Sequence, residues 1–117
     1  MTEPDWRDLP FCYLTTRGRR TGRPHTIEIW FAAGDGVVYM LSGGGRRSDW
    51  VRNILSNEEV SLRIGEETRT TKARIVAEPD EDRTARHSVA EKYRRRGEAD
   101  LDEWERTALP VVVDWSG

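Results

Sequence analysis

Three strand-like runs, Phe11 to Thr16, Thr26 to Ala32 and Val37 to Leu41, are joined by turns alone. Parallel neighbours need a crossover of about a dozen residues or more, and none of these connections is that long, so the runs are expected to pair antiparallel. The first connection carries four arginines, Arg17, Arg19, Arg20 and Arg23, with Gly18 and Gly22 supplying conformational freedom and Pro24 permitting a strand start. Along the second run, Thr26, Glu28, Trp30 and Ala32 alternate with Ile27, Ile29 and Phe31, so neither face is purely polar. One face is expected to meet the core and the other a ligand or a partner. Gly34-Asp35-Gly36 then gives a tight turn, and the second and third runs read as a hairpin.

Further along, Ser48 or Asp49 is placed to cap a short helix that sets Trp50 over Ile54 and Val51 over Leu55, with Asn57 as its stop. Val60 to Ile64 and Thr68 to Ala77 follow as strands around Gly65-Glu66-Glu67. A helix beginning after Pro79 puts Ala85, Val89 and Tyr93 on one face and ends at Gly97. Leu101 to Ala108 reads as another short helix and Leu109 to Asp114 as a last strand. The pattern predicts a mainly β fold with α additions. It is a small closed or partly closed barrel of five to seven mostly antiparallel strands with short helices, one domain over residues 1–117.

Composition narrows the function classes. A net charge of −2 and a pI near 5.7 argue against indiscriminate binding to nucleic acid. No apolar run approaches the about 20 residues of a membrane span, so no integral membrane association is expected. The opening MTEPDWRD has neither a basic leader nor an apolar signal core, which predicts a cytoplasmic protein. Cys12 is the only cysteine; it excludes an internal disulfide, and its apolar neighbours predict a buried spectator. With His25 and His87 as the only histidines, no metal site is expected.

Seventeen of the nineteen cationic residues are arginines, and those of the first half gather around turns. Besides the first turn, the segment LSGGGRRSDW sets Gly43, Gly44 and Gly45 before Arg46, Arg47 and a helix start. Arginines with exposed backbone donors at a helix start are the equipment that holds a phosphorylated or otherwise anionic cofactor. The candidate cofactor-binding residues are therefore Arg17, Arg20, Thr21, Arg23, Ser42, Gly43, Gly44, Arg46, Arg47 and Trp50. The glycine spacing, with no Lys-Ser or Lys-Thr pair at its end, excludes a P-loop. Trp50 and Asn53 share one side of the helix, where Trp50 is expected to pack and Asn53 to cap a nearby chain end. His25 is placed to contact a cofactor or protonate a product, or else to sit exposed at a strand start. Arg94, Arg95 and Arg96 offer an acidic lipid or RNA surface, but Glu91, Glu98, Asp100 and Asp102 around them predict an ordinary solvated helix end.

LTTRGRRTGRPHTIEIWF followed by LSGGGRRSDWVRNILSNEEVSLRIG resembles the deazaflavin-dependent nitroreductase family, over Leu14 to Val76. Its wording combines a TT-x-GR-x-(Ser or Thr)-G turn, an S-x-GG loop and a W-x-x-N-(Ile or Leu) helix. The resemblance implies a split β-barrel related to flavin-reductase-like proteins and coenzyme F420 as cofactor, with FMN as the alternative that some relatives use. It places Arg17 to Arg23 near the cofactor's charged arm and Ser42 to Trp50 around its phosphate and ring. The chain departs from the family where GRRSDW lacks a proline before the tryptophan, and it has no tyrosine-rich C-terminal segment of the kind that shapes a nitroreductase substrate pocket.

The function expected is F420-dependent oxidoreduction, with hydride passing from reduced deazaflavin to a small quinone-like, conjugated or nitroaromatic acceptor. The alternatives are an FMN-binding oxidoreductase of the same fold and a non-catalytic F420-binding protein. No catalytic acid is assigned, because the redox chemistry belongs to the cofactor. A homodimer is expected, with Trp30 and the Val111 to Val113 run as apolar surface for a second chain.

Overall fold

A computed structural model describes residues 5–116. Seven strands form one antiparallel sheet: β1 (Cys12–Arg17), β2 (Pro24–Ile29), β3 (Ala32–Ala33), β4 (Val37–Ser42), β5 (Glu59–Ile64), β6 (Glu67–Ile75) and β7 (Leu109–Asp114). Their order is β2-β1-β5-β6-β7-β4-β3. The two edge strands, β2 and β3, are consecutive in the chain, so the sheet curls until a short covalent link spans its open side. The result is mainly β with α additions, a curled half-barrel with three helices: α1 (Asp49–Ser56), α2 (Pro79–Arg95) and α3 (Asp102–Thr107).

Alternation decides which side of each strand faces in. Cys12, Leu14 and Thr16 of β1 and Val60, Leu62 and Ile64 of β5 point into the barrel, while Tyr13, Thr15 and Arg17 point out. In β4 and β7 the alternation is lost because both faces are covered. Val38, Met40, Val111 and Val113 join the barrel core, whereas Tyr39, Leu41 and Val112 pack under Ala85, Val89 and Tyr93 of α2. The Val111–Val113 run is thus no surface for a second chain. All three valines are at most 2% exposed within one molecule, Val111 and Val113 in the barrel core and Val112 under α2.

The second strand-like run also differs from expectation, since its pairing breaks at Trp30 and Phe31. Up to Ile29 the chain pairs with β1, and from Ala32 it pairs with β4. At the crossing, the Phe31 N–H donates to Tyr93 Oη at 2.9 Å and Lys92 Nζ donates to the Phe31 carbonyl at 3.0 Å. Tyr93 Oη in turn donates to the Pro10 carbonyl at 2.8 Å. A helix 60 residues downstream therefore supplies what the ladder no longer does for this backbone. Trp30 lies between helices: it stacks on Tyr93 with centroids 4.1 Å apart and meets Trp104 edge-on at 5.6 Å.

The helices follow their local signals. Glu78 caps α2 by accepting from the N–H groups of Asp80 and Glu81, with Pro79 at the first helical position. Asn57 ends α1. Ser48 precedes α1 but makes no capping bond, because its hydroxyl is paired with that of Ser42 at 2.8 Å.

Candidate functional site

Between the first turn and α1 lies a cleft of about 650 Å³, large enough for a planar cofactor ring. Its floor is a small polar lattice centred on Asn53, which is 4% exposed. Asn53 Oδ1 accepts from the Arg19 N–H at 3.2 Å and from the Arg19 guanidinium at 3.0 Å, and its Nδ2 donates to Thr16 Oγ1 at 3.0 Å. The Arg19 guanidinium reaches on to Asp49 at 3.3 Å. One amide side chain thereby ties α1 to both β1 and the turn, in place of the chain-end cap expected of it.

The turn closes on itself. Gly18 N–H donates to the Arg23 carbonyl at 2.7 Å, Gly22 N–H to the Gly18 carbonyl at 2.8 Å, and Arg23 N–H to Thr21 Oγ1 at 3.2 Å. Two glycines are needed here for different reasons. Gly22 has a φ of +74°, a left-handed conformation costly for other residues, and a Cβ on Gly18 would lie 2.8 Å from His25 Nε2. With the loop so folded, Arg20 and Thr21 line the cleft together with Gly18, His25, Ile27 and Trp50.

The structure brings together only part of the sequence-derived set. Arg20, Thr21 and Trp50 share the cleft. Arg17 stands on the outer face of the sheet, by a separate depression of about 230 Å³ that Glu59 and Ser61 also line. Arg23 is exposed on the turn. In the glycine loop, Ser42 is 2% exposed and its hydroxyl is committed to the Gly45 carbonyl at 3.0 Å and to Ser48. Gly43 and Gly44 are exposed, Gly43 lying beside Trp104, while Arg46 and Arg47 project to solvent from a short 3-10 turn. Gly18, Arg19, Asp49 and Asn53 are cleft residues that sequence reasoning left out of the set, and their signal is tertiary, since Asn53 and Arg19 are 34 residues apart.

Electrostatically the cleft offers positive charge that the protein has not neutralised. Arg20 has no carboxylate partner among the described residues, and the one acid at the site, Asp49, is turned to Arg19. A bidentate guanidinium beside a hydroxyl and an aromatic wall suits a ligand with an anionic arm and a planar head. Elsewhere, Cys12 is fully buried with Sγ on the Ile29 carbonyl at 3.6 Å, and burial pushes its thiol up to about 12, so it stays protonated.

A curled antiparallel half-barrel of this strand order places the chain among split-barrel proteins. Within that class the chain belongs to the F420H(2)-dependent quinone reductase family, which it matches over residues 3–116. The match extends on both sides of the motif-bearing segment. Solved structures share the fold at low identity. One described as an F420-H2 dependent reductase has a TM-score of 0.71 at 18% identity, covering 90% of this chain and 94% of its own. Another, described as a domain-swapped dimer, has a TM-score of 0.67 at 18% identity, with 90% and 80% covered. A FAD-binding protein from Mesorhizobium loti has a TM-score of 0.66 at 11% identity, with 96% and 85% covered. Among the described residues no helix is long and apolar enough to cross a membrane.

Proposed function

We propose that the protein holds F420 in the cleft between the first turn and α1 and reduces a small quinone-like, conjugated or nitroaromatic acceptor there. The observation that carries this reading is Arg20, a cation with no acid partner among the described residues, sharing with Thr21 and Trp50 a cleft of ring-accommodating size. Those groups fit a cofactor that is both acidic and planar. Reduced F420 supplies the hydride when bound. Arg20 and Thr21 would hold the anionic arm, with Arg23, Arg46 and Arg47 raising the local potential that draws an acidic ligand in. Trp50 and Ile27 form the apolar wall that limits water at a ring. Asn53 and Asp49 position the turn through Arg19 and touch the ligand only indirectly. His25 lines the same cleft and is a candidate to contact the cofactor.

The protein is proposed to work as a homodimer. Residues of β2 line the cleft, the outer side of that edge strand has no strand partner among the described residues, and a fold relative is described as a domain-swapped dimer. FMN in the same cleft is a second reading, favoured by the fold relative described as FAD-binding.

Titration of the purified protein with F420 and with FMN, followed by turnover of reduced F420 against a panel of quinones and nitroaromatics, tests these assignments. Saturable F420 binding with acceptor-dependent oxidation is expected. Tight FMN binding with no F420 affinity would transfer the site to the second reading, and F420 binding without turnover would leave a carrier. A solution mass of one chain, with and without cofactor, would remove the dimer.

A further inference from the structure

A second cluster of cations lies where α2 passes the short edge strand β3. A cleft of about 470 Å³ there is lined by Arg7, Ala33, Ser88, Lys92, Arg95 and Arg96 among others. Arg7 is paired with the Asp5 carboxylate at 3.3 Å, and what sets the three cations of α2 and its cap apart is the kind of partner each has found. Lys92 Nζ donates to the carbonyls of Leu9 at 2.7 Å and Phe31 at 3.0 Å, Arg96 to the carbonyl of Asp8 at 2.9 Å, and Arg95 to the carbonyl of Glu91 at 3.4 Å. Backbone carbonyls satisfy hydrogen bonds but neutralise no charge.

Two carboxylates share the cleft. Glu91 leans to Arg94 at 3.8 Å, and Asp8 serves Arg96 through its backbone. His87 lines the rim, 4.0 Å from Glu105 on α3. The C-terminal end of a helix favours cations on its own, which accounts for Arg95 and Arg96 taken singly. It does not account for their convergence with Lys92, whose stem is half-buried.

We propose that this cleft binds a compact phosphate-like dianion, at a site separate from the cleft of the first turn. Lys92 has used two of its three ammonium donors and Arg95 and Arg96 one each of their five, so donors as well as charge remain for three or more oxygens. The groups sense each other's charge, which the Asp8 carboxylate compensates only in part. Burial first, and then the neighbouring Arg96 guanidinium, push the Lys92 ammonium down to about 8. A dianion among them reverses the second cause. The site also touches the fold's weak point, because Lys92 and its neighbour Tyr93 hold the two backbone groups of Phe31 where the sheet crosses between its edges.

Amide-resolved NMR titration of the full chain with inorganic phosphate and with glycerol 3-phosphate tests the proposal. Saturable shifts of Ala33, Ser88 and Lys92 are expected. They persist in Arg20→Ala, which disables the other cationic cleft, and fall at least tenfold in affinity in the double variant Arg95→Gln/Arg96→Gln, whose exposed side chains can be changed without touching the core. Non-saturating shifts, shifts confined to Gly18 through Arg23, or shifts lost in Arg20→Ala would overturn it. Sedimentation with phosphatidic-acid vesicles separates two sources of the same chemistry. Co-sedimentation abolished by the double variant identifies a lipid headgroup, and glycerol 3-phosphate binding without co-sedimentation identifies a free phosphate monoester.

Discussion

On α2, Arg83 pairs with Asp80, Arg86 with Asp82, and Arg94 with Glu91, Asp102 and Glu105. In the first turn and the glycine loop, Arg17, Arg20, Arg23, Arg46 and Arg47 have no carboxylate partner among the described residues, and only Arg19 is engaged. The same residue type thus serves two ends. Around α2 it fastens one helix to the next: Arg86 also donates to the carbonyls of Glu105 and Arg106 at 2.8 and 2.9 Å, closing α3 against α2. In the turn it gathers like charge, which repels itself and stabilises nothing in the fold. Charge that a fold does not use is the better pointer to a ligand.

The contrast predicts that the acid-paired arginines of α2, Arg83, Arg86 and Arg94, serve stability and that the turn decides F420 binding. The largest effect falls at Tyr93, which is 2% exposed, stacks on Trp30 and holds Phe31 and Pro10 through its hydroxyl. Tyr93→Ala should lower the free energy of unfolding by about 3–5 kcal/mol. Tyr93→Phe, which removes only the hydroxyl and orphans the Phe31 N–H, should cost about 1–3 kcal/mol. Urea titration reads both, and a neutral Tyr93→Phe would show that the crossing is held by stacking alone.

Next in size is the effect of Arg20→Ala on F420 affinity. Loss of a charge-assisted contact worth about 1.5–3 kcal/mol corresponds to a weakening of about 10- to 100-fold. Arg86→Ala should leave that affinity unchanged while lowering stability. If calorimetry finds both variants binding alike, the unpaired arginine is not a ligand contact and the contrast between the regions fails.

A third outcome concerns pH, and its signs differ among the groups around the crossing. Burial raises Cys12 from its ordinary 9.0 and Tyr93 from 10.0 to about 12 in the folded protein. Their contribution to stability is whole below the ordinary values and is lost as pH climbs through about 12. Lys92, lowered from 10.5 to about 8, acts oppositely, since stability rises between those two values as the unfolded chain holds the extra proton. The gain from Lys92 runs unopposed from about pH 8 to 9.0 and offsets the loss from Cys12 up to 10.0, where Tyr93 adds a second loss; above 10.5 the losses stand alone. Cys12→Ala should make the decline between pH 10.5 and 12 shallower by about 1.4 kcal/mol per pH unit. An unchanged decline would mean the thiol does not titrate with the fold.

Much of the fold was legible because local rules carried it. The turn-linked runs required antiparallel pairing, Pro79 and Gly97 bounded α2, and the 3.6-residue spacing of Ala85, Val89 and Tyr93 named its buried face. The misread elements each depend on a distant partner. Nothing between Thr26 and Ala32 signals that Phe31 leaves the ladder, because the groups that replace its partners sit on α2. Val111 to Val113 looked like spare apolar surface until α2 covered the outer face of β7. In the cleft, Arg20, Thr21 and Trp50 come from motifs that the sequence displays, while Asn53 organises the site through atoms 34 and 37 residues away, a relation without a local pattern.

The smallest expected effect is the sharpest discriminator between the two regions. If the turn arginines are held for a ligand, removing them should cost the empty protein nothing, and relieving their mutual repulsion should return a little stability. Arg20→Ala/Arg23→Ala is therefore expected to change the unfolding free energy by no more than about 0.5 kcal/mol, in the stabilising direction. The sign has a diagnostic salt dependence. Repulsion among exposed charges is felt at low ionic strength, where the screening length exceeds the spacing along a turn, and fades near 1 M salt, where it is about 3 Å. The gain should accordingly shrink as salt is added. The exposed Arg83–Asp80 pair supplies the mirror case, because Arg83→Ala should lose a few tenths of a kcal/mol at low salt and nothing at high salt. Opposite signs at low salt converging at high salt would mean that one chain uses arginine against its own stability in the turn and for it on α2. A salt-independent loss on removing Arg20 and Arg23 would instead make the turn arginines structural, and the cleft would lose its strongest claim to a ligand.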